Sequence, residues 1–125
     1  MKSQNNAWRQ SRVYHGKKQG RLLGFPTLNL DPLVLPKDQK EGVYAAIVKL
    51  KGKTYKAALF FGPRIVVGET YNTLELYVFD FSDEIYDKKI EFQILDFIRG
   101  VMDFSSFEEL KKQIKKDVEK IQSLI

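Results

Sequence analysis

The chain has 125 residues, no cysteine and 43% hydrophobic residues, values that suit one domain with a single core. They exclude a multidomain enzyme within these residues, a disulfide framework and cysteine-ligated zinc, so a metal site must use oxygen ligands or the only histidine, His15. Residues 1–56 hold 12 basic and 3 acidic side chains, whereas residues 57–125 hold 9 basic and 13 acidic ones. A basic region of this kind attracts a nucleic-acid backbone or nucleotide phosphates.

The N-terminal third alternates between loops and short extended segments. Residues 1–10 are polar and aperiodic, and we predict a flexible lead-in to a domain of residues 11–125. A short strand is expected at 12–15, followed by a basic loop with repeated glycines. In the extended segment 27–30, polar and apolar residues alternate, which places Thr27 and Asn29 on the same face.

The middle of the chain is rich in strand signals. Segments 43–50 and 53–61 flank Lys51-Gly52 and predict a hairpin, because a glycine in a short connection can adopt the positive φ that hairpin turns need. Further strands are expected at 73–81 and 89–99. In the first of these, Glu75 faces the same way as Tyr77 and Phe79 in a segment whose two faces both look buried.

The C-terminal segment has a helical pattern. Apolar residues recur every three or four positions, which predicts an amphipathic helix over 105–125, with Ser105 and Glu108 as its capping box. The charged residues between them, Asp117 included, are interpreted as a solvated face. Short strands followed by one helix predict a mainly β fold, in which a small barrel is covered by the C-terminal helix. The apolar runs of the sequence are too short to cross a membrane.

Two features could carry chemistry. The basic glycine-rich loop lets backbone amides approach an anion, and the hydroxyl of Thr27 and the amide of Asn29 are oxygen ligands of the kind that Mg²⁺ accepts. Glu75 could act as a general base for an alcohol during phosphoryl transfer. The alternatives are an ordinary solvated loop and a carboxylate paired with a lysine.

Together these residues resemble the riboflavin kinase family. The segment Gly-Arg-Leu-Leu-Gly-Phe-Pro-Thr-Leu-Asn-Leu at 20–30 is similar to its PTxN signature. Further similar segments follow in the family's order: Leu35-Pro36, Gly42-Val43-Tyr44-Ala45, the glutamate strand 74–81, Ile85-Tyr86, and Ile98-Arg99 to Phe104-Ser105.

The resemblance implies a six-stranded antiparallel Greek-key barrel with a C-terminal helix. It also implies transfer of the ATP γ-phosphate to the ribityl 5′-hydroxyl of riboflavin, giving FMN, with Mg²⁺ or Zn²⁺ as cofactor. We expect a cytoplasmic monomer that binds neither nucleic acid nor a membrane. By position, Glu75 would be catalytic and Thr27 and Asn29 would hold the metal. The ATP-binding residues would be Gly20, Arg21, Gly24, Pro26, Thr27, Asn29 and Tyr86, and the flavin-binding residues Arg99 and Phe104.

The chain departs from the family pattern at three places: Ser11 replaces a glycine, segment 63–66 is not matched, and Val101 and Met102 replace charged residues. These departures leave open a weak kinase or another alcohol acceptor. An alternative function is a noncatalytic barrel that binds a nucleotide, a flavin or single-stranded nucleic acid. No adenylyltransferase domain, which bacterial relatives often carry, lies within these residues, so we expect no FAD synthesis from them.

Overall fold

The computed structural model describes residues 7–14, 27–63, 71–81, 85 and 87–124. Within them, six strands form one antiparallel sheet in the order β1-β6-β3-β4-β5-β2. The strands are β1 Arg9–Arg12, β2 Thr27–Leu30, β3 Gly42–Leu50, β4 Lys53–Gly62, β5 Thr73–Val78 and β6 Lys89–Arg99, and the helix is α1 Phe107–Leu124. Strands β3 to β6 form a Greek key, because β6 returns to pair with β3.

The sheet curls into a half-closed barrel. Its edge strands are β1 and β2, and they approach each other where the Tyr14 amide donates a hydrogen bond to the Asn29 carbonyl oxygen at 2.8 Å. The buried Ser11 adds a second link, since its hydroxyl accepts from the Asp31 amide at 3.0 Å and donates to the Arg12 carbonyl at 2.9 Å. The predicted mainly β fold with a C-terminal helix is therefore confirmed, with the barrel only partly closed.

The central hairpin follows the prediction. Strands β3 and β4 pair in continuous register from Gly42 opposite Phe61 to Leu50 opposite Lys53. Lys51 and Gly52 connect them with φ of 51° and 81°, the positive values that a type I′ turn requires at both positions. The predicted strand 73–81 is shorter than expected, because β5 ends at Val78 and Asp80 then adopts a left-handed φ of 60°.

The beginning of the sheet corrects the predicted lead-in. Arg9 and Gln10, assigned to a flexible segment, belong to β1 and pair with Phe92 and Glu91 of β6. Trp8 lies just before the strand, with the Lys49 ammonium 4.3 Å from its ring centroid. The pairing partner lies about eighty residues away, so no local pattern near the N-terminus could reveal this strand.

Two apolar clusters hold the fold together. One fills the barrel interior and contains Val13, which follows β1, and inward-facing residues of β2 to β6, such as Leu28, Val48, Leu76 and Phe92. The second lies between the outer face of the sheet and α1. There Ala45 and Ala58 leave room for Val118 and Ile121 of the helix.

Helix α1 begins later than predicted. The Ser106 hydroxyl accepts a hydrogen bond from the Glu109 amide at 3.3 Å, so Ser106, not Ser105, caps the helix. Both serines precede a glutamate by three residues, so the capping-box pattern fits either position. Among the residues described, no helix combines the length and apolar character required to cross a membrane.

Candidate active site

The register of the sheet aligns residues that are far apart in sequence. Directly paired residues of neighbouring strands project to the same side of a sheet, with Cβ atoms about 4.5–5.5 Å apart. One such line crosses five strands on the outer face, and we call it the site row. From β2 to β6 it consists of Asn29, Glu75, Phe60, Val43 and Arg99.

Strand β2 presents its polar residues to this face. Leu28 and Leu30 are buried in the barrel interior, whereas Thr27 and Asn29 are partly exposed on the opposite side, as the alternation predicted. Asn29 lies directly opposite Glu75, and Thr27 lies opposite Tyr77, the next residue of β5 on the same face. Thr27 is therefore a diagonal neighbour of Glu75, at a separation of about 7–8 Å.

Glu75 is a buried carboxylate with two different neighbours. Its residue surface is 1% exposed, although it lies on the outer face of the sheet. Asn29 is its neighbour on one side and Phe60 on the other. A carboxylate in such surroundings needs polar partners or a function, and restricted access for water favours proton transfer from a bound hydroxyl to the carboxylate over exchange with solvent.

The oxygen atoms of Thr27 and Asn29 fit a hard divalent cation. These residues offer a hydroxyl and an amide oxygen beside the Glu75 carboxylate, and neither is a histidine or a cysteine. No group of three or more His, Cys, Asp or Glu residues lies together in the described part of the chain. Few protein ligands and several further oxygens from water and phosphate are typical of Mg²⁺, whereas Zn²⁺ favours histidine and cysteine.

The far end of the site row is held by ion pairing to the helix. The Arg99 guanidinium donates to both carboxylate oxygens of Asp117, with Nε 3.0 Å from each and Nη2 2.8 Å from Oδ2. Its Nη1 donates to the Gly100 carbonyl at 2.9 Å, and Gln113 donates to Asp117 Oδ1 at 3.0 Å. The side chains of Arg99 and Asp117 are 15% and 5% exposed, so this is a largely buried pair.

Asp117 therefore corrects the interpretation of the helix face, because it lies on the buried side and not among solvated charges. A signal was present in the sequence. Asp117 follows Ile114 by three positions and precedes Ile121 by four, so it lies on the apolar stripe itself.

Phe104 and Arg99, both predicted to contact the flavin, do lie near each other. The Arg99 Cζ atom is 5.9 Å from the Phe104 ring centroid. The segment that connects them leaves β6 and passes over Gly62, where Val101 Cγ2 would be 2.9 Å from a Cβ atom placed on that glycine. Val101, one of the departures from the family pattern, thus packs against the end of β4.

The other predicted site residues lie outside the described residues: Gly20, Arg21, Gly24, Pro26 and Tyr86. His15 and the unmatched positions 64–66 also lie outside them. Two further members of the site row, Phe60 and Val43, were not predicted from the sequence. Both look like ordinary core residues in sequence, and only strand register places them between Glu75 and Arg99.

Comparison with known proteins gives a consistent assignment. The family model described as "Flavokinase: Riboflavin kinase" matches residues 4–125. The chain is 41% identical over 109 residues to the bifunctional riboflavin kinase/FMN adenylyltransferase of Haemophilus influenzae, covering 86% of this chain and 35% of that protein. It is 40% identical over 107 residues to the RNA-binding riboflavin kinase RibR of Bacillus subtilis, covering 85% and 46%. The chain thus spans less than half the length of these relatives.

Solved structures share the fold. A crystal structure described as a macrolide-efflux protein from Streptococcus pneumoniae superimposes with a TM-score of 0.76 at 30% identity, covering 92% of this chain and 38% of that one. Riboflavin kinase from Trypanosoma brucei superimposes with a TM-score of 0.60 at 23% identity, covering 94% and 78%. The family match spans nearly the whole chain, and the fold and order of motifs agree with it, so this chain belongs to the riboflavin kinase family.

Proposed function

We propose that this chain is an ATP-dependent riboflavin kinase that produces FMN. The observation that carries the proposal is the position of Glu75, a 1% exposed carboxylate directly opposite Asn29 and diagonal to Thr27. This arrangement places a base beside a set of phosphate-compatible oxygen ligands, on the outer face of the sheet. No observation on the described residues favours the noncatalytic alternative.

In the proposed reaction, Glu75 accepts the proton of the ribityl 5′-hydroxyl. The hydroxyl oxygen forms a bond to the γ-phosphorus, and the bond from that phosphorus to the β,γ-bridging oxygen breaks, which releases ADP. Catalysis of this kind depends mainly on positioning and on stabilising charge. Glu75 contributes to positioning, because the register with β2 holds it beside the proposed site of transfer.

Thr27 and Asn29 serve the phosphate side of the reaction. When bound, a divalent cation, which we propose to be Mg²⁺, supplies charge neutralisation for the phosphates, and these two residues would hold it. We further propose that the basic segment, with Gly20, Arg21, Gly24 and Pro26, binds the phosphates and that Tyr86 lies beside the nucleotide.

The proposed position of the phosphates determines the direction in which the bound acceptor extends over the sheet. Asn29 and Thr27 lie on β2, the edge strand beyond Glu75, so the nucleotide lies on that side. The rest of the acceptor then extends the other way, past the partly exposed Phe60 toward Arg99, whereas Val43 of the same row is 5% exposed and packs beneath α1. Three strand spacings of about 4.8 Å give this path a length of about 14 Å, enough for a flat ring system on an extended sugar-alcohol chain.

The proposal is tested by incubating the purified chain with riboflavin, ATP and Mg²⁺ and separating the flavins by chromatography. We expect FMN in amounts that match the ADP formed, and none when a chelator removes the metal. ADP formation without FMN would indicate a different acceptor. Riboflavin binding without either product would support the noncatalytic alternative.

A further inference from the structure

We propose that Asp117 is a positioning residue for riboflavin, acting through Arg99; this inference rests on the proposed function. Asp117 lies on α1, and its carboxylate accepts hydrogen bonds from Arg99, the member of the site row farthest from the phosphate side. Its effect on the reaction would therefore be confined to the flavin end of the acceptor.

The geometry of the pair orients the guanidinium in one direction. An arginine side chain has five N–H groups in a plane. In Arg99 the Nε group and one Nη2 group face Asp117, and one Nη1 group faces the Gly100 carbonyl. One N–H on each terminal nitrogen then has no acceptor among the described residues, so these two groups are available to a ligand on the outer face.

Asp117 is itself held in place from a second direction. Gln113, one helical turn earlier, donates to Oδ1, the oxygen that also accepts from Arg99 Nε. The carboxylate thus has partners on both the helix and the sheet, and its orientation does not depend on Arg99 alone. Such a network fixes the guanidinium before a substrate arrives, which reduces the cost of ordering it on binding.

The pair also controls the connecting segment. Arg99 ends β6, and residues 100–106 lead from it to α1, with Phe104 beside the guanidinium. The Arg99–Asp117 contact links the start of this segment to the middle of α1. Without the Asp117 charge, Arg99 would lose its fixed direction and Phe104 its neighbour, although the catalytic carboxylate at Glu75 would be unaffected.

The test compares Asp117→Asn with Asp117→Glu and with Glu119→Gln, an exposed acidic residue of the same helix. In Asp117→Asn we expect the KM for riboflavin to rise about tenfold or more while the KM for ATP changes less than about twofold. Asp117→Glu restores most of the riboflavin affinity because it keeps the charge, and Glu119→Gln changes neither KM. An unchanged riboflavin KM in a folded Asp117→Asn protein would overturn the inference.

A second variant separates positioning from simple stabilisation. Replacing both partners of a buried ion pair with apolar residues can preserve stability, whereas removing one leaves an uncompensated charge. The double variant Arg99→Met, Asp117→Leu should therefore fold even if Asp117→Asn does not. The inference predicts that its riboflavin KM stays raised; a normal riboflavin KM would mean that the pair is only structural.

Binding measurements distinguish this inference from the proposed function. If the wild-type chain makes no FMN, the proposed kinase activity fails, and quenching of riboflavin fluorescence is then used in place of KM. Weaker riboflavin binding in Asp117→Asn than in Glu119→Gln would still support a positioning role. Equal binding in both, or no riboflavin binding by the wild-type chain, would overturn it.

Discussion

At the scale of single residues, Asn29 has two separable roles. Its backbone carbonyl accepts the hydrogen bond that brings the sheet edges together, and its side chain faces Glu75. Asn29→Ala removes only the side chain. We expect it to raise both the KM for ATP and the Mg²⁺ concentration for half-maximal rate by about tenfold, without changing the thermal midpoint by more than a few degrees.

The matched control is Asn29→Asp, which keeps an oxygen ligand at the same place. We expect steady-state kinetics to show smaller changes in metal and ATP dependence than in Asn29→Ala. If both variants behaved like the wild type, Asn29 would have no part in holding the metal or phosphates.

Gly42 is required because two strands approach closely. A Cβ atom at this position would lie 2.2 Å from the Arg99 carbonyl oxygen and 2.8 Å from Phe97 Cε1. Since the oxygen belongs to the backbone, β6 would have to move. We expect Gly42→Ala to lower the free energy of unfolding by about 1–3 kcal/mol or more, measured by urea denaturation.

Gly100 provides the comparison, since a Cβ atom there meets nothing within 4 Å. Gly100→Ala should change the free energy of unfolding by less than about 0.5 kcal/mol. Similar effects at the two glycines would show that the approach of β3 to β6 is not as close as described.

At the scale of elements, the start of α1 gives a test that separates two adjacent serines. Ser106 accepts the hydrogen bond from the Glu109 amide, whereas Ser105 lies outside the helix. We expect Ser106→Ala to reduce the free energy of unfolding by about 1 kcal/mol and Ser105→Ala to have little effect, both measured by thermal unfolding. The reverse order would restore the helix start predicted from sequence.

The elements also show what local sequence can reveal. The hairpin β3–β4, strand β6 and the helical stripe were predicted because their periodicity and turn residues are local signals. Strand β1 was not fully predicted, because Arg9 and Gln10 acquire their extended structure from pairing with β6. The same reasoning explains why Asp117 was misread: its charge suggested solvent, although its spacing placed it on the buried stripe.

At the scale of the whole molecule, the barrel is brought toward closure by a small number of contacts between β1 and β2. Ser11 is 4% exposed and accepts the hydrogen bond of the Asp31 amide. This contact gives a structural reason for serine where the family pattern has glycine. We expect Ser11→Ala to lower the free energy of unfolding by about 1–3 kcal/mol, because it leaves the partly buried Asp31 amide without its acceptor.

The control for this prediction is Gln10→Ala on the exposed side of the same strand, which should change the free energy of unfolding by less than about 0.5 kcal/mol in the same urea titration. Equal stabilities of the two variants would indicate that the contact between Ser11 and Asp31 contributes nothing to closure.

Only part of the candidate site could be predicted from local sequence. Local sequence was enough to predict Thr27, Asn29 and Glu75. The alternation that points to Thr27 and Asn29 lies within one segment, and the apolar strand that contains Glu75 is another single segment. Their alignment with Phe60, Val43 and Arg99 depends on the register of five strands, which is a property of the folded sheet. The site row is therefore a result of the structure and not of any motif.

The role of Glu75 as the base of a riboflavin kinase is tested by the rate of FMN formation by Glu75→Gln. Glutamine keeps the size and hydrogen-bonding capacity of the side chain but cannot accept the proton. We predict that kcat falls by about 100-fold or more while ATP affinity stays within about twofold of the wild type. FMN formation at the full wild-type rate would contradict this account.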